Sequence, residues 1–415
     1  MSGEYKRNHY VPEWYQYRFL SPDLPEKKFR YLDLKPDVIV DSKGRKHTKT
    51  ALRRWGPPSC FFEDDLYTTR FGHWESTEIE QKFFGKIDNN GRKAVEYFAD
   101  FQHPSADKDA LYALLPYMSV QKLRTPKGLD NLAGKMKLGG NKNTVLLQMQ
   151  RLQNLYCALW TECVWCIADA SESETKFIIS DHPVTVYNSN CFPGSKWCIG
   201  SNDPDIWLSG THTIFPLSID KILILTNLSW VRNSYGNPLK ERPNPNPFRG
   251  AIFNFLDIQT GRKLSDIEVN EINFIIKKRA YRFIASAKEE WLYPEEKIPS
   301  EHWRKLGRGY LLFPDPRSMT FGGEVIIGYE NKRADGFDEY GHKPWHPDHA
   351  NKERRDKEWP SFLAFQGEYA RAFGTKRRGT SYHFGKEKIE DSEDYHEYHL
   401  SLEKKYKPSW AKKRG

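Results

Sequence analysis

The chain has 415 residues, enough for two domains or one large domain with appendages. Its 38% hydrophobic content with 14% aromatics predicts a core of few, large, partly polar side chains. The net charge is +9, and residues 1–59 alone hold 13 basic against 7 acidic residues, which points to a phosphate-bearing partner near the first motif; no run of about 18 apolar residues occurs, which excludes a helical membrane span.

The chain opens on Lys6-Arg7-Asn8-His9-Tyr10-Val11-Pro12, followed at once by Trp14, Tyr15, Tyr17 and Phe19. Free N-termini usually fray, but these aromatics need burial and would anchor this one. His9 can exchange a proton near neutral pH. Lys6 and Arg7 suit a phosphate beside it, and Tyr10 suits orienting the imidazole. The plainer reading gives His9 one structural hydrogen bond and leaves both cations in solvent.

Short strands are expected over 29–34 and 38–40, with a turn at Asp41-Ser42-Lys43-Gly44 and a further strand through Phe61 and Phe62 towards Tyr67. Residues 75–101 take a helical period carried by Ile79, Phe83, Ile87, Ala94, Val95 and Phe98, with Gly91 weakening the middle. Glu80 flanks this stripe; with Glu78 and Asp88 its ordinary role is a solvated face. The next helix is capped by Ser105, kinked by Pro116 and ended by Arg124-Thr125-Pro126, because a residue before proline avoids the helical region. Gln121 and Arg124 at the end of its apolar stripe need a buried polar partner or a pocket.

A third helix is expected over 144–160. Val164–Ala168 and Lys176–Ile179 read as a β-hairpin around Ser171-Glu172-Ser173-Glu174, running into Ser180-Asp181-His182-Pro183. Asp181 would accept from its own turn or aim a carboxylate across a cleft. Cys163 and Cys166 lie in an apolar run, so with Cys191 and Cys198 they read as buried thiols and not zinc ligands. Strands follow at 212–217 and 221–226, and a long helix at 266–285 starts with a Ser265/Glu268 capping box.

Beyond about 287 no period is sustained. Residues 331–415 read as a partly irregular, partly helical basic and aromatic extension, suited to a protein partner. Within it, His342-Lys343-Pro344-Trp345-His346-Pro347-Asp348-His349 has the residue types of a metal-binding tract, although two prolines forbid the i,i+4 helix of a zincin. A polar loop is the plainer reading. With no secretory apolar stretch at its start and six cysteines, the chain is expected to be cytoplasmic with free thiols.

These motifs, in this order, resemble the bacterial domain of unknown function 4238: the His9-Tyr10-Val11-Pro12 opening, Asp65-Leu66-Tyr67-Thr68, Ile79-Glu80, Gln121-Lys122-Leu123-Arg124-Thr125-Pro126, Ser180-Asp181-His182-Pro183 and Phe215-Pro216-Leu217-Ser218. The resemblance spans about residues 5–285, with Glu13 and His182 standing where the family often has glutamine and asparagine. It implies that His9, Glu80, Gln121, Arg124 and Asp181 recur together, which suggests one shared pocket. The expected fold is α+β, a helical bundle on a small, mostly antiparallel sheet, with a domain over 1–290 and the extension over 291–415. The expected function is a phosphodiester hydrolase, a nuclease acting on RNA or DNA and fitting a toxin or defence effector. His9 would act as general acid or base, Asp181 would orient it, Arg124 and Arg7 would stabilise charge, Gln121 would position phosphate or water, and Glu80 with Asp181 would be able to hold a divalent metal. The alternative is a non-catalytic nucleic-acid or nucleotide sensor.

Overall fold

The computed structural model describes residues 7–22, 26–71, 74–101, 107–248, 258–319, 325–328, 332, 334–381 and 391–406. Lys6 and Ser105 lie outside the described residues. The strands that frame the site are β1 (Arg7–His9), β2 (Phe29–Asp33), β3 (Leu52–Trp55), β4 (Phe62–Asp64), β5 (Cys163–Asp169), β6 (Ile179–Ser180), β7 (Thr185–Tyr187), β8 (His212–Pro216), β9 (Lys221–Asn227), β10 (Ile258–Lys263), β11 (Phe283–Ser286) and β12 (Thr380–Ser381). The main helices are α1 (Gly85–Ala99), α2 (Lys108–Arg124), α3 (Pro126–Lys135), α4 (Lys142–Arg151), α5 (Asp266–Arg279), α6 (Lys352–Phe373) and α7 (Glu393–Tyr406).

The fold is α+β. One sheet runs β7-β8-β9-β5-β10-β12, antiparallel except for the β5/β10 pair, and a second runs β6-β11-β2-β3, antiparallel throughout. β1 and β4 form a separate ribbon, with His9 opposite Phe62. Val38–Val40 pairs with Lys46–Thr48 across a turn over 41–44.

Several expectations change, while within residues 331–415 two long helices, α6 and α7, supply the helical part of the extension. The predicted hairpin does not form, because β5 is buried along its whole length between β9 and β10 while Ile179–Ser180 joins the other sheet against β11. The chain between them is tied to the start of α5, where Ser173 Oγ and the Thr175 amide donate to Asp266 Oδ1 at 3.0 and 2.7 Å. The long helix over 266–285 stops at Arg279 and the chain turns into β11; its capping box is present. The helix over 144–160 is interrupted after Arg151 and resumes only as the short turn Cys157–Trp160.

α2 is capped by Asp107, which accepts from the Ala110 amide at 2.8 Å. Gly91 has a packing role: a Cβ there would lie 2.4 Å from the Tyr117 ring, so glycine lets α1 approach α2 closely. The main core joins the N-terminal aromatics Tyr15 and Phe19 to both sheets, and continues past residue 290 through Trp291, Leu292, Trp303 and Leu312. A second core links Val164 and Leu228 to Phe313, Phe362 and Tyr369, and α7 packs on α6.

Candidate functional site

The junction of α2 and α3 positions the site. α2 ends where Thr125, extended ahead of Pro126, leaves the helix, and Thr125 Oγ1 accepts from the Gly128 amide at 3.1 Å to start α3. A Cβ on Gly128 would stand 2.2 Å from the Lys122 carbonyl oxygen, so this sharp corner requires glycine. Gln121 and Arg124 are three residues apart and share one helix face; Lys122 and Thr125 share another.

The first face holds two sequence-predicted residues, Gln121 and Arg124, and a third, Glu80, lies within electrostatic reach of it. Gln121 Nε2 donates to the Tyr10 carbonyl at 2.8 Å, and Gln121 Oε1 accepts from Arg124 Nε at 2.8 Å and also from Nη2. Arg124 Nη1 lies 2.9 Å from Asp88 Oδ1, and the guanidinium sits over the rings of Phe84 and Tyr117 at 5.1 and 5.8 Å. Tyr67 Oη donates to the Arg124 carbonyl at 2.9 Å. Glu80 rises from a π-helical turn over Ile79–Phe84, a geometry frequent at functional sites. One of its carboxylate oxygens is buried without a hydrogen-bond partner. Burial pushes its carboxyl up to about 7, with Arg124 pulling it down and Asp88 pushing it further up.

Tyr10 meets this cluster through its carbonyl, whereas His9, Arg7 and Asp181 form no hydrogen bond or ion pair with Gln121, Arg124 or Glu80 among the described residues. His9 Nε2 lies 3.3 Å from the Pro58 carbonyl and Nδ1 lies 3.5 Å from Glu13, with burial lowering its pKa and Glu13 opposing that. Arg7 is exposed, donates to the same carbonyl at 3.3 Å and lies over the Phe62 ring at 4.2 Å. Tyr10 is buried, and burial raises its phenol far above the ordinary range. Asp181 is cradled by three backbone amides, those of Tyr281, Arg282 and Phe283, at 2.8, 2.6 and 2.7 Å. Its oxygens are thereby committed to fixing the start of β11. Among the described residues no hydrogen bond or ion pair joins any two of His9, Arg124 and Asp181.

The second face carries a group that the sequence reading passed over. Lys122 Nζ donates to Asp203 Oδ2 at 3.1 Å and to the Val184 carbonyl at 3.2 Å. Lys127 Nζ donates to Asp203 Oδ1 at 2.6 Å and to the Arg279 carbonyl at 2.7 Å. His182 lies between Thr125 Oγ1, 2.7 Å from Nδ1, and Lys122 Nζ, 3.2 Å from Nε2. Nε2 also lies 3.4 Å from Asp203 Oδ2, so it stands between an ammonium that donates and a carboxylate that accepts. Burial, reinforced by Lys122, lowers His182 to about 3, so the ring is neutral. Burial also lowers both lysines against the pull of Asp203, and Arg279 adds to the lowering.

These groups floor a cavity of about 210 Å³ whose walls include Leu132, Met136, Leu155, Tyr156, Trp207 and Phe248. Lys135 lies 4.8 Å over the Trp207 ring and 2.6 Å from Asp205. The signal for this site was present: Lys122 lies inside the Gln121–Pro126 motif, Lys127 directly follows it, and His182 replaces a residue that is often asparagine. Asp203 comes from a loop with no comparable pattern.

Comparison with protein-family profiles matches the one described as "Protein of unknown function (DUF4238)" over residues 7–153 and 141–290. No curated protein and no solved structure matches the chain.

Proposed function

The chain belongs to the DUF4238 family, whose description names no activity, and from the geometry of this member we propose that it binds a small phosphate-bearing ligand of the nucleotide class in the cavity floored by Lys122 and Lys127. The observation that carries this reading is the charge on that floor. Two buried lysine ammonium groups share one contacting carboxylate, Asp203, while Arg279, outside the cavity lining, adds a further buried cation within electrostatic reach. Asp181, within electrostatic reach of Lys127, has its oxygens taken by three amides. Buried charge without full compensation is costly, and a phosphate oxyanion would supply the compensation. The aromatic walls suit a base or another flat ring. The volume of about 210 Å³ favours a monomer or a chain end over a strand passing through.

Calorimetric titration of the full chain with AMP, adenosine and inorganic phosphate tests this reading. AMP should bind at least tenfold more tightly than adenosine, a difference of about 1.4 kcal/mol. Lys127→Gln should lose that preference while keeping a cooperative melt. Equal affinity for AMP and adenosine, or no binding by any of the three, would overturn it.

Phosphodiester hydrolysis is the second reading, supported by Glu80. A carboxyl titrating near 7 beside an arginine suits general acid–base work at neutral pH. Incubation with RNA and DNA, with and without Mg²⁺ or Mn²⁺, separates the two readings. Hydrolysis predicts cleavage that Glu80→Gln abolishes; a binding module returns the nucleic acid intact.

A further inference from the structure

We propose that Cys191 and Cys198 form a redox-active dithiol, a site that a small peroxide oxidises reversibly to a disulfide. Both are free thiols, and the function proposed above uses neither. They stand at the two ends of one loop, each held in a turn. The Cys191 amide donates to the Asn188 carbonyl at 3.0 Å, and the Cys198 amide donates to the Ser195 carbonyl at 2.9 Å. Cys198 Sγ lies 3.6 Å from the Cys191 carbonyl oxygen. Both side chains share a small core with Leu208 and Leu239, and the sulfurs are close enough to shift each other's ionisation.

Arg279, at the end of α5, sets the two sulfurs apart. Its Nη1 lies 3.3 Å from Cys198 Sγ, and its Nη2 donates to the Cys191 carbonyl. The same Nη1 donates to the Asn202 carbonyl at 2.5 Å, and the Trp303 ring lies 4.8 Å from the guanidinium, so the cation is fixed in place. A cation held at a sulfur favours the thiolate, which is the nucleophile. The Cys191 thiol lowers the pKa of Cys198 and Arg279 lowers it further, against the effect of burial, while Cys191 is raised by its partner. Cys198 is therefore the attacking sulfur and Cys191 the resolving one.

The pair lies just beneath the surface. Both cysteines are buried, but Phe192, Trp197 and Ile199 beside them are exposed. The other thiols lack this combination. Cys157 is more exposed, yet burial pushes it up to about 12. Cys163 and Cys166 stand near Arg242 and Arg262, but an odd spacing along β5 turns them to opposite faces.

The Cys198 thiolate attacks one oxygen of hydrogen peroxide. The O–O bond breaks, hydroxide leaves and the sulfur becomes a sulfenic acid. The Cys191 sulfur then attacks Cys198. The S–S bond forms as the S–O bond breaks, and a second hydroxide leaves. The two thiol protons turn both hydroxides into water, so the pair loses the two electrons that the peroxide gains.

Peroxide treatment of the reduced full chain, alkylation under denaturing conditions and peptide mapping by mass spectrometry test the site. Cys191 and Cys198 should be the first cysteines to escape alkylation, joined in one disulfide that dithiothreitol reopens, while Cys157 remains free to alkylate. Cys191→Ser should leave Cys198 as a sulfenic acid that dimedone traps. Cys198→Ser should slow oxidation of Cys191 at least tenfold. Faster oxidation of Cys157 than of Cys198, a pair still fully alkylated after excess peroxide, or equal reactivity of the two serine variants would contradict the proposal.

Discussion

Arg124→Met should lower the stability of the protein by about 3–5 kcal/mol, the range seen when one partner of a buried ion pair is removed. Arg124 is 1% exposed, and its guanidinium is divided between Gln121 and Asp88. Methionine keeps the length and the apolar contact with Phe84 and Tyr117 but supplies no donor. Asp88 then loses its ion pair and Gln121 Oε1 loses both Arg124 hydrogen bonds. Gln121 also holds the Tyr10 carbonyl, so the anchor of the N-terminal segment loosens with it. Arg124→Lys should recover part of the loss, because it restores the charge without the planar fork. Urea denaturation measures all three forms. A loss below about 1 kcal/mol for methionine, the level of exposed pairs, would mean that the cluster is solvated.

Glu80→Gln should act in the opposite direction and only at high pH. The folded state raises the Glu80 carboxyl from an ordinary 4.5 to about 7, so it holds the proton more tightly than the unfolded chain does. Below about pH 4.5 both states are protonated and the favourable contribution is complete. As pH rises through 7 that contribution is lost, and above it the buried carboxylate opposes folding by about 3 kcal/mol. Glutamine resembles the protonated form at every pH. The variant should therefore match the parent near pH 4 and exceed it by up to about 3 kcal/mol at pH 8. Equal stability of the two proteins at both pH values would show that Glu80 ionises as an ordinary surface carboxylate. The same variant serves the hydrolysis assay, so a loss of cleavage in it cannot be ascribed to unfolding.

How far the sequence exposed this structure depended on the range of the forces involved. Local signals worked: Ser265 and Glu268 cap each other across one turn, with the Glu268 amide donating to Ser265 Oγ at 3.3 Å and the Ser265 amide donating to Glu268 Oε2 at 3.0 Å. The stop at Thr125-Pro126 is equally local. The end of α5 is not. Apolar residues continue the period past Arg279, but the amides of Tyr281, Arg282 and Phe283 are taken by Asp181, about a hundred positions earlier in the chain. The misread hairpin has a similar cause, since a strand buried on both faces shows no alternation from which its partner could be inferred.

The candidate site was half legible for the same reason. Gln121 and Arg124 do meet, because a glutamine and an arginine at the end of an apolar stripe require buried partners, and Glu80 lies within electrostatic reach of Arg124. His9 and Asp181 looked reactive by residue type, yet each is engaged locally, His9 with Glu13 and the Pro58 carbonyl and Asp181 with backbone amides. Lys122 and Lys127 were overlooked because lysine is ordinarily a surface residue. The carboxylate of Asp203, from a distant loop, and the carbonyls of Val184 and Arg279 turn them inward.

Cocrystallisation of the full chain with AMP tests the central claim most directly. The account predicts density for the phosphate in the cavity beside Trp207, within hydrogen-bonding distance of Lys127 Nζ. An empty cavity at saturating AMP, or a phosphate bound instead at Arg7 and Phe62, would contradict it.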